Sequence, residues 1–231
     1  ISVELDETTY TYDGTAKTPG ITVKDGEKVL VDGFDYTVLY SDNKDAGTAT
    51  VTITGKGNYT GTTSVTFTIS KRTLTVTPVG GQSKIYGDAD PVFTYGYSNN
   101  VDGETPGFSG VLTRVAGEEV GTYEILVGSL AIKDKSPFLV RNYQMSFTTG
   151  VDFTIRQKTV ADLDITLSQT TYTYDGQAKT PGITIKDGNK TLVLNTDYTL
   201  EYKFNTNAGN ESETPTVIIT GQGNYTGSAT R

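Results

Sequence analysis

The chain has 231 residues, a net charge of −8 at pH 7, 26 Gly and, by count, 42 Thr, but no His and no Cys. Those absences remove Ser-His-Asp and Cys-His catalysis, His-ligated zinc, thiolate chemistry and disulfides. With 27 acidic against 19 basic residues, no basic stripe exists for nucleic acid, and an anionic membrane surface is an equally poor partner.

The opening segment Ile1-Ser2-Val3-Glu4-Leu5-Asp6 reads as a strand. It has neither the basic end nor the apolar block of a signal peptide, and no apolar run is long enough to span a bilayer. In Tyr10-Thr11-Tyr12-Asp13-Gly14, the Asp-Gly step predicts a turn with Gly14 at positive φ. Ile21 and Val23 are followed by Lys24-Asp25-Gly26-Glu27-Lys28 and then Val29 and Val31, which predicts a hairpin. Tyr36, Val38 and Tyr40 alternate with other residues. So do Ala49, Val51 and Ile53, and Val65, Phe67 and Ile69, with Thr at most intervening positions. Period-two alternation predicts half-buried strands, apolar side inward and Thr outward. Further on, residues 91–97, 111–115, 123–127 and 142–148 are strand candidates. A single helical turn fits residues 102–107, ended by Pro106 and Gly107.

The sequence then repeats itself. Tyr10-Thr11-Tyr12-Asp13-Gly14 returns as Tyr172-Thr173-Tyr174-Asp175-Gly176, an offset of 162 residues. Ala16 to Thr22 returns as Ala178 to Thr184, and Asp35-Tyr36-Thr37 as Asp197-Tyr198-Thr199. Gly57-Asn58-Tyr59-Thr60-Gly61 returns as Gly223-Asn224-Tyr225-Thr226-Gly227 at an offset of 166, so the second copy carries an insertion around Asn210 to Pro215. Between the copies lies a different module, whose closing Asp152-Phe153-Thr154-Ile155 echoes Thr66-Phe67-Thr68-Ile69. The domains expected are 1–70, 71–157 and 158–231. The fold expected is all-β: three tandem small β-sandwich modules of Ig-like character. A β-grasp-like sheet is the alternative for the middle module if 102–107 proves helical. Linkers as short as Ser70-Lys71-Arg72 and Arg156-Gln157-Lys158 predict a monomeric rod of roughly 100 Å. The chain starts and stops inside patterned sequence, which reads as a fragment of something longer.

The outer copies resemble the YDG repeat of large bacterial surface proteins. Tyr12-Asp13-Gly14, Lys17-Thr18-Pro19-Gly20, Asp35-Tyr36, and Gly55-Lys56-Gly57-Asn58-Tyr59-Thr60-Gly61 carry the likeness. The middle module resembles the MBG (mucin-binding type) domain through Tyr86-Gly87-Asp88-Ala89-Asp90-Pro91, Phe108 to Arg114, Gly117-Glu118, Gly121-Thr122-Tyr123 and Asn142-Tyr143. The resemblance implies an extracellular, non-enzymatic segment of a bacterial cell-surface or secreted adhesin, acting as stalk, as glycan-binding repeat, or both. Mucin-type glycans or a host glycoprotein are the implied partners, with no cofactor. The alternative is a non-catalytic accessory region of a large secreted glycan-degrading enzyme.

Candidate sites follow from residue chemistry. Tyr95, Tyr97, Asn99 and Asn100 crowd rings and amides at a strand–loop junction, as sugar recognition requires. The competing reading is alternate strand burial followed by an Asn-Asn turn. Asp88 and Asp90 form either a carboxylate pair for Ca²⁺ or a turn ahead of Pro91. Asp13 and Asp175 serve as an acid–base pair only if they meet; otherwise each caps its own turn. Tyr59 and Tyr225 stack on sugars or pack under their own turns. Lys17 and Lys179 suit either an isopeptide crosslink or an exposed loop. The chain ends at Arg231 before an equivalent of the strand Ser64 to Ile69. The last module is therefore expected to be the least stable, and open to strand-mediated self-association.

Overall fold

The structure is a computed structural model that describes residues 1–210 and 212–231. Part of the insertion expected around Asn210 to Pro215, namely Glu211, lies outside the described residues. The chain is all-β, of β-sandwich and Ig-like character, with only two short 3₁₀ turns, Val140–Asn142 and Val160–Asp162, among the described residues. It divides into two compact units. The first comprises Ile1–Val79, Phe93–Thr113 and Val127–Thr149, and the second Gly80–Val92, Arg114–Leu126 and Gly150–Arg231. The middle segment thus contributes strands to both.

In the first unit, the first copy of the repeat builds two sheets. One has four strands in the order Thr9–Thr11, Thr62–Ser70, Gly47–Gly55, Tyr36–Ser41. The other has three, Ser2–Leu5, Ile21–Asp25 and Lys28–Val29. The alternation read from the sequence explains why these segments form strands. Ala49, Val51, Ile53, Phe67 and Ile69 are buried, and Thr54, Thr66 and Thr68 are exposed. The hairpin at Asp25-Gly26-Glu27-Lys28 forms as predicted, with Gly26 at φ +59°. Val23 from the smaller sheet and Leu30, just beyond its last strand, join the same core. From the middle segment, Arg72–Pro78 is flanked by Tyr95–Ser98 and, in parallel, by Tyr143–Phe147. Leu74, Phe138 and Tyr143 are buried in that core too.

In the second unit, Asp152–Arg156 lies between Gly121–Leu126 and the parallel strand Ser83–Ile85. The second copy builds a sheet from Asp164–Leu167, Ile183–Asp187 and Lys190–Thr191, and another from Tyr198–Lys203, Thr216–Gly221 and Ser228–Thr230. Val160, Ile185, Leu192, Tyr198, Ile219 and Tyr225 form the core.

Several sequence expectations need correction. Residues 102–107 are not helical: Gly103 sits at φ +78° and the Glu104 amide closes a turn on the Val101 carbonyl at 3.0 Å. The condition for a β-grasp-like middle module is therefore not met. Of residues 91–97 only 95–97 lie in a strand, Tyr95–Ser98, and Pro91, with no amide to donate, stands outside it. Of 111–115 only Thr113–Arg114 is. Val111 instead bonds Ser129, its carbonyl accepting the Ser129 amide at 3.0 Å and its amide donating to the Ser129 hydroxyl at 3.1 Å.

The final strand of the second copy does begin. Ser228–Thr230 pairs with Ile218–Thr220, and Arg231 exchanges both backbone hydrogen bonds with Val217, at 2.8 and 3.0 Å. The difference between the copies lies further along. In the first, the strand runs on to Ser70 and pairs in parallel with Thr9–Thr11, and the Tyr12 amide donates to the Ser70 carbonyl at 2.9 Å. In the second, residues 169–182 form no strand. Tyr12 is 3% exposed, whereas its counterpart Tyr174 is 63% exposed. Hydrogen exchange should therefore run at least ~10-fold faster at the Tyr174 amide than at Tyr12; equal rates at the two positions would contradict this account.

Candidate functional site

The residues singled out for ligand recognition lie together in the first unit, Tyr97 and Asn99 exposed and Tyr95 and Asn100 half-buried. Tyr95 and Tyr97 follow one another on one face of the strand Tyr95–Ser98, and both contact Phe108, with ring centroids at 5.1 and 5.7 Å. Tyr97 is 41% exposed. The result is a small aromatic surface. The amides are occupied by the loop itself. Asn99, at φ +70°, donates to the Thr73 carbonyl, while its own side-chain and backbone oxygens accept from Arg72 at 3.0 and 2.6 Å. Asn100 donates to the Val101 and Glu104 carbonyls. Thus Asn99 and Asn100 shape the junction, beside the exposed ring of Tyr97 and the half-buried ring of Phe108.

Next to this loop is a buried polar cluster that nothing in the strand alternation revealed. The Glu104 carboxylate accepts from the Tyr12 hydroxyl at 2.5 Å and from the Tyr143 hydroxyl at 2.7 Å. The Tyr143 hydroxyl also accepts from the Val101 amide at 3.0 Å. Burial first, then the bond to Glu104, pushes the Tyr143 phenol up to about 12, and the same two causes raise Tyr12. Close by, the Asn142 side chain accepts from the Ala46 amide and donates to Asp45, which also pairs with Arg141. Gly14, at φ +82°, lies so close to Val101 that a β-carbon there would come within 2.9 Å of it. Here the Tyr-Asp-Gly motif of the first copy meets the Asn142-Tyr143 motif of the middle segment. Nothing in the order of the residues hints that these two motifs touch.

A second cluster, in the second unit, absorbs most of the other middle-segment motif residues. Arg114, its side chain 5% exposed, donates to both oxygens of Asp90 at 2.7 and 3.0 Å and to Glu118 at 2.7 Å. Lys84 joins the same two carboxylates at 2.7 and 2.5 Å. The guanidinium stacks over Tyr123 and Phe153, at 5.1 and 5.5 Å. Gly117 is required because Tyr123 lies against it: a β-carbon would fall 2.1 Å from the ring. Asp90 is therefore an ion-pair residue. Arg114, then Lys84, hold its carboxyl below the usual range, and Asp88 lies in a turn whose amide donates to the Ile85 carbonyl.

The motif carboxylates of the two copies do local work. Asp13 accepts from the Thr15 amide at 2.9 Å and pairs with Lys17; Asp175 accepts from the Gln177 amide at 2.9 Å and pairs with Lys179. The Lys17 ammonium holds Asp13 down at about 2, and Lys179 lowers Asp175. Neither carries a proton to donate near neutral pH. Tyr225 is fully buried, its hydroxyl 3.2 Å from Asp187, while Tyr59 is half-buried with Lys28 over its ring. In the second unit a groove of about 560 Å³ is lined by Leu167, Tyr172, Tyr174, Tyr202, Val217 and Arg231.

Residues 74–154 match the family model of the MBG domain (YGX type). No curated protein and no solved structure gives a match. The middle segment is thus similar to the MBG domain, a surface-adhesin-like, mucin-binding-type module. No helix among the described residues is long and apolar enough to cross a membrane.

Two outcomes follow from the clusters. The Tyr143 phenol titrates near 10 unfolded and about 12 folded. The folded state therefore holds the proton more tightly. Its contribution to stability is whole below pH 10 and is lost as pH rises toward 12. Replacing Tyr143 by Phe should flatten the fall in unfolding free energy across that window, measured by urea titration at stepped pH. Asp90→Ala should cost roughly 1–2 kcal/mol at pH 7, since it strips two buried cations of a shared acceptor that is itself partly screened by water. A melting temperature equal to that of the parent would show that Glu118 alone satisfies both cations.

Proposed function

We propose that the chain is an extracellular segment of a bacterial cell-surface adhesin, in which the MBG-type domain contacts mucin-type glycans and the flanking repeat copies act as stalk. The observation that carries this reading is the aromatic surface of Tyr95, Tyr97 and Phe108 within the matched segment 74–154. Pyranose rings present C–H faces that suit exposed aromatic faces, and such contacts need no charged group. The negative charge of the chain is compatible with a neutral glycan more than with an anionic surface. The resemblance of the outer copies to YDG repeats supports a multi-module surface protein, since such repeats recur in tandem.

A mucin-glycan array probed with the full chain tests the reading. Binding by the parent, lost at least ~10-fold in Tyr97→Ala without a change in melting temperature, is the result expected. Folded parent protein that binds no glycan on the array would leave only the stalk.

A further inference from the structure

The two copies of the repeat give two views of the same surfaces, and in each copy a different surface is covered. In the first copy, the Tyr12-Asp13-Gly14 end is covered by the MBG-type domain: Tyr12 donates to Glu104, Gly14 abuts Val101, and Ala46 donates to Asn142. In the second copy the corresponding end is bare. Tyr174 is 63% exposed, and around Gly176, at φ +75°, a β-carbon would meet nothing closer than 4.0 Å. The opposite end shows the reverse. In the second unit Asn224 accepts from the Val120 amide at 2.8 Å and donates to Glu119, and Tyr225 packs edge-on against Tyr86 at 5.5 Å. Its counterpart in the first copy, Asn58, is exposed, and Tyr59 is only half-buried.

The covered surfaces therefore identify the partner that the bare ones fit. We propose that each repeat copy carries two docking faces for MBG-type domains. The bare Tyr172-Thr173-Tyr174 edge of the second copy is the seat of a further MBG-type domain, together with the strand that leads into it. The first copy shows how that occupant sits. Its strand Thr62–Ser70 pairs with Thr9–Thr11, Phe67 meets Tyr10 edge-on at 5.5 Å, and Arg72–Pro78 of the MBG-type domain starts only two residues later. Strand and domain thus arrive as one piece. The groove beside Tyr172 and Tyr174 lies along the same edge in the second copy. The register continues as well: Arg231 pairs with Val217 as Val65 does with Val51. A segment of the pattern Thr66-Phe67-Thr68-Ile69-Ser70 would follow it in step. One contact changes. Asp45 corresponds to Asn207, so the second seat keeps an acceptor for an Asn142-type amide but loses the ion pair with Arg141.

The test is a fusion in which a second copy of residues 66–231 follows Arg231 directly. Amide exchange at 171–174 is expected to slow by about 100-fold or more relative to the unfused chain. Tyr174→Phe should lower the melting temperature of the fusion by about 2–4 °C while leaving the unfused chain unchanged. A shorter extension, Thr66 to Ser70 alone, should protect the same amides without making Tyr174→Phe destabilising. Unchanged exchange in the fusion would overturn the proposal. So would a silent Tyr174→Phe in the fusion, or a short extension that reproduces the full effect, because the domain would then not be the occupant. None of these readouts depends on glycan binding.

Discussion

The structure rests on one parallel pairing, that of Thr9–Thr11 with the far end of Thr62–Ser70. Backbone groups in a strand must find partners, and an edge without one stays irregular or recruits another chain. In the first copy this pairing adds the fourth strand at the edge of the sheet. It buries Phe67 and Ile69, each worth about 1.5–3 kcal/mol of apolar burial. It also fixes the backbone that aims Tyr12 at Glu104. The second copy keeps the same residues at 171–173, yet they form no strand there. The local sequence alone does not make that strand; the partner does. This is the expected behaviour of short, Thr-rich segments, whose β-propensity expresses packing against neighbours more than any intrinsic backbone preference.

A core assembled from such strands is thin, and polar clusters complete it. Tyr12, Glu104 and Tyr143 form one such cluster, and Lys84, Asp90, Arg114 and Glu118 another. Among the described residues no buried side-chain nitrogen or oxygen lacks a partner. That completeness matters energetically, because an unpartnered hydroxyl or carboxylate in the interior costs about as much as several methylenes stabilise. It matters for specificity too. An apolar contact tolerates sliding, whereas a carboxylate held between two phenols accepts only one placement of each ring.

The strands themselves were legible in the sequence, because Thr alternating with Val, Ile and Phe leaves only one face to bury. The hairpin at Asp25-Gly26 and the local bonds of Asp13 and Asp175 were legible for a similar reason: each is settled within a few residues. What could not be read was anything settled at long range. Glu104 sits in a turn between Gly103 and Pro106, where an acidic residue looks like ordinary surface, and its partners are 92 and 39 residues away. The partners of Asn99 and Asn100 were hidden for the same reason, since their amides donate to the Thr73, Val101 and Glu104 carbonyls. Residues 102–107 were open to a helical turn because composition does not record that Gly103 takes a positive φ.

The duplication separates these two kinds of residue without any external comparison. Some motif residues have the same environment in both copies. Tyr40 and Tyr202 donate to the Pro19 and Pro181 carbonyls at 2.6 and 2.7 Å. Asn43 and Asn205 donate to the Lys17 and Lys179 carbonyls at 2.7 and 2.9 Å. Asp35 and Asp197 each accept the amide of the residue four positions earlier. These residues encode the copy's own fold, and they would be needed in a copy standing alone. Other motif residues are identical in sequence but differ in environment: Tyr12 is buried and Tyr174 exposed, Tyr225 buried and Tyr59 half-buried. A tyrosine kept at a position where its own copy gives it no cover is not explained by the folding of that copy. Its chemistry is a ring to bury and a hydroxyl to donate. For Tyr12 a second module completes that chemistry, Glu104 accepting its hydroxyl, whereas Tyr225 finds its acceptor, Asp187, within its own copy and takes only ring cover from Tyr86. The repeat motif is therefore two messages superimposed, one specifying the sandwich and the other specifying what the sandwich meets.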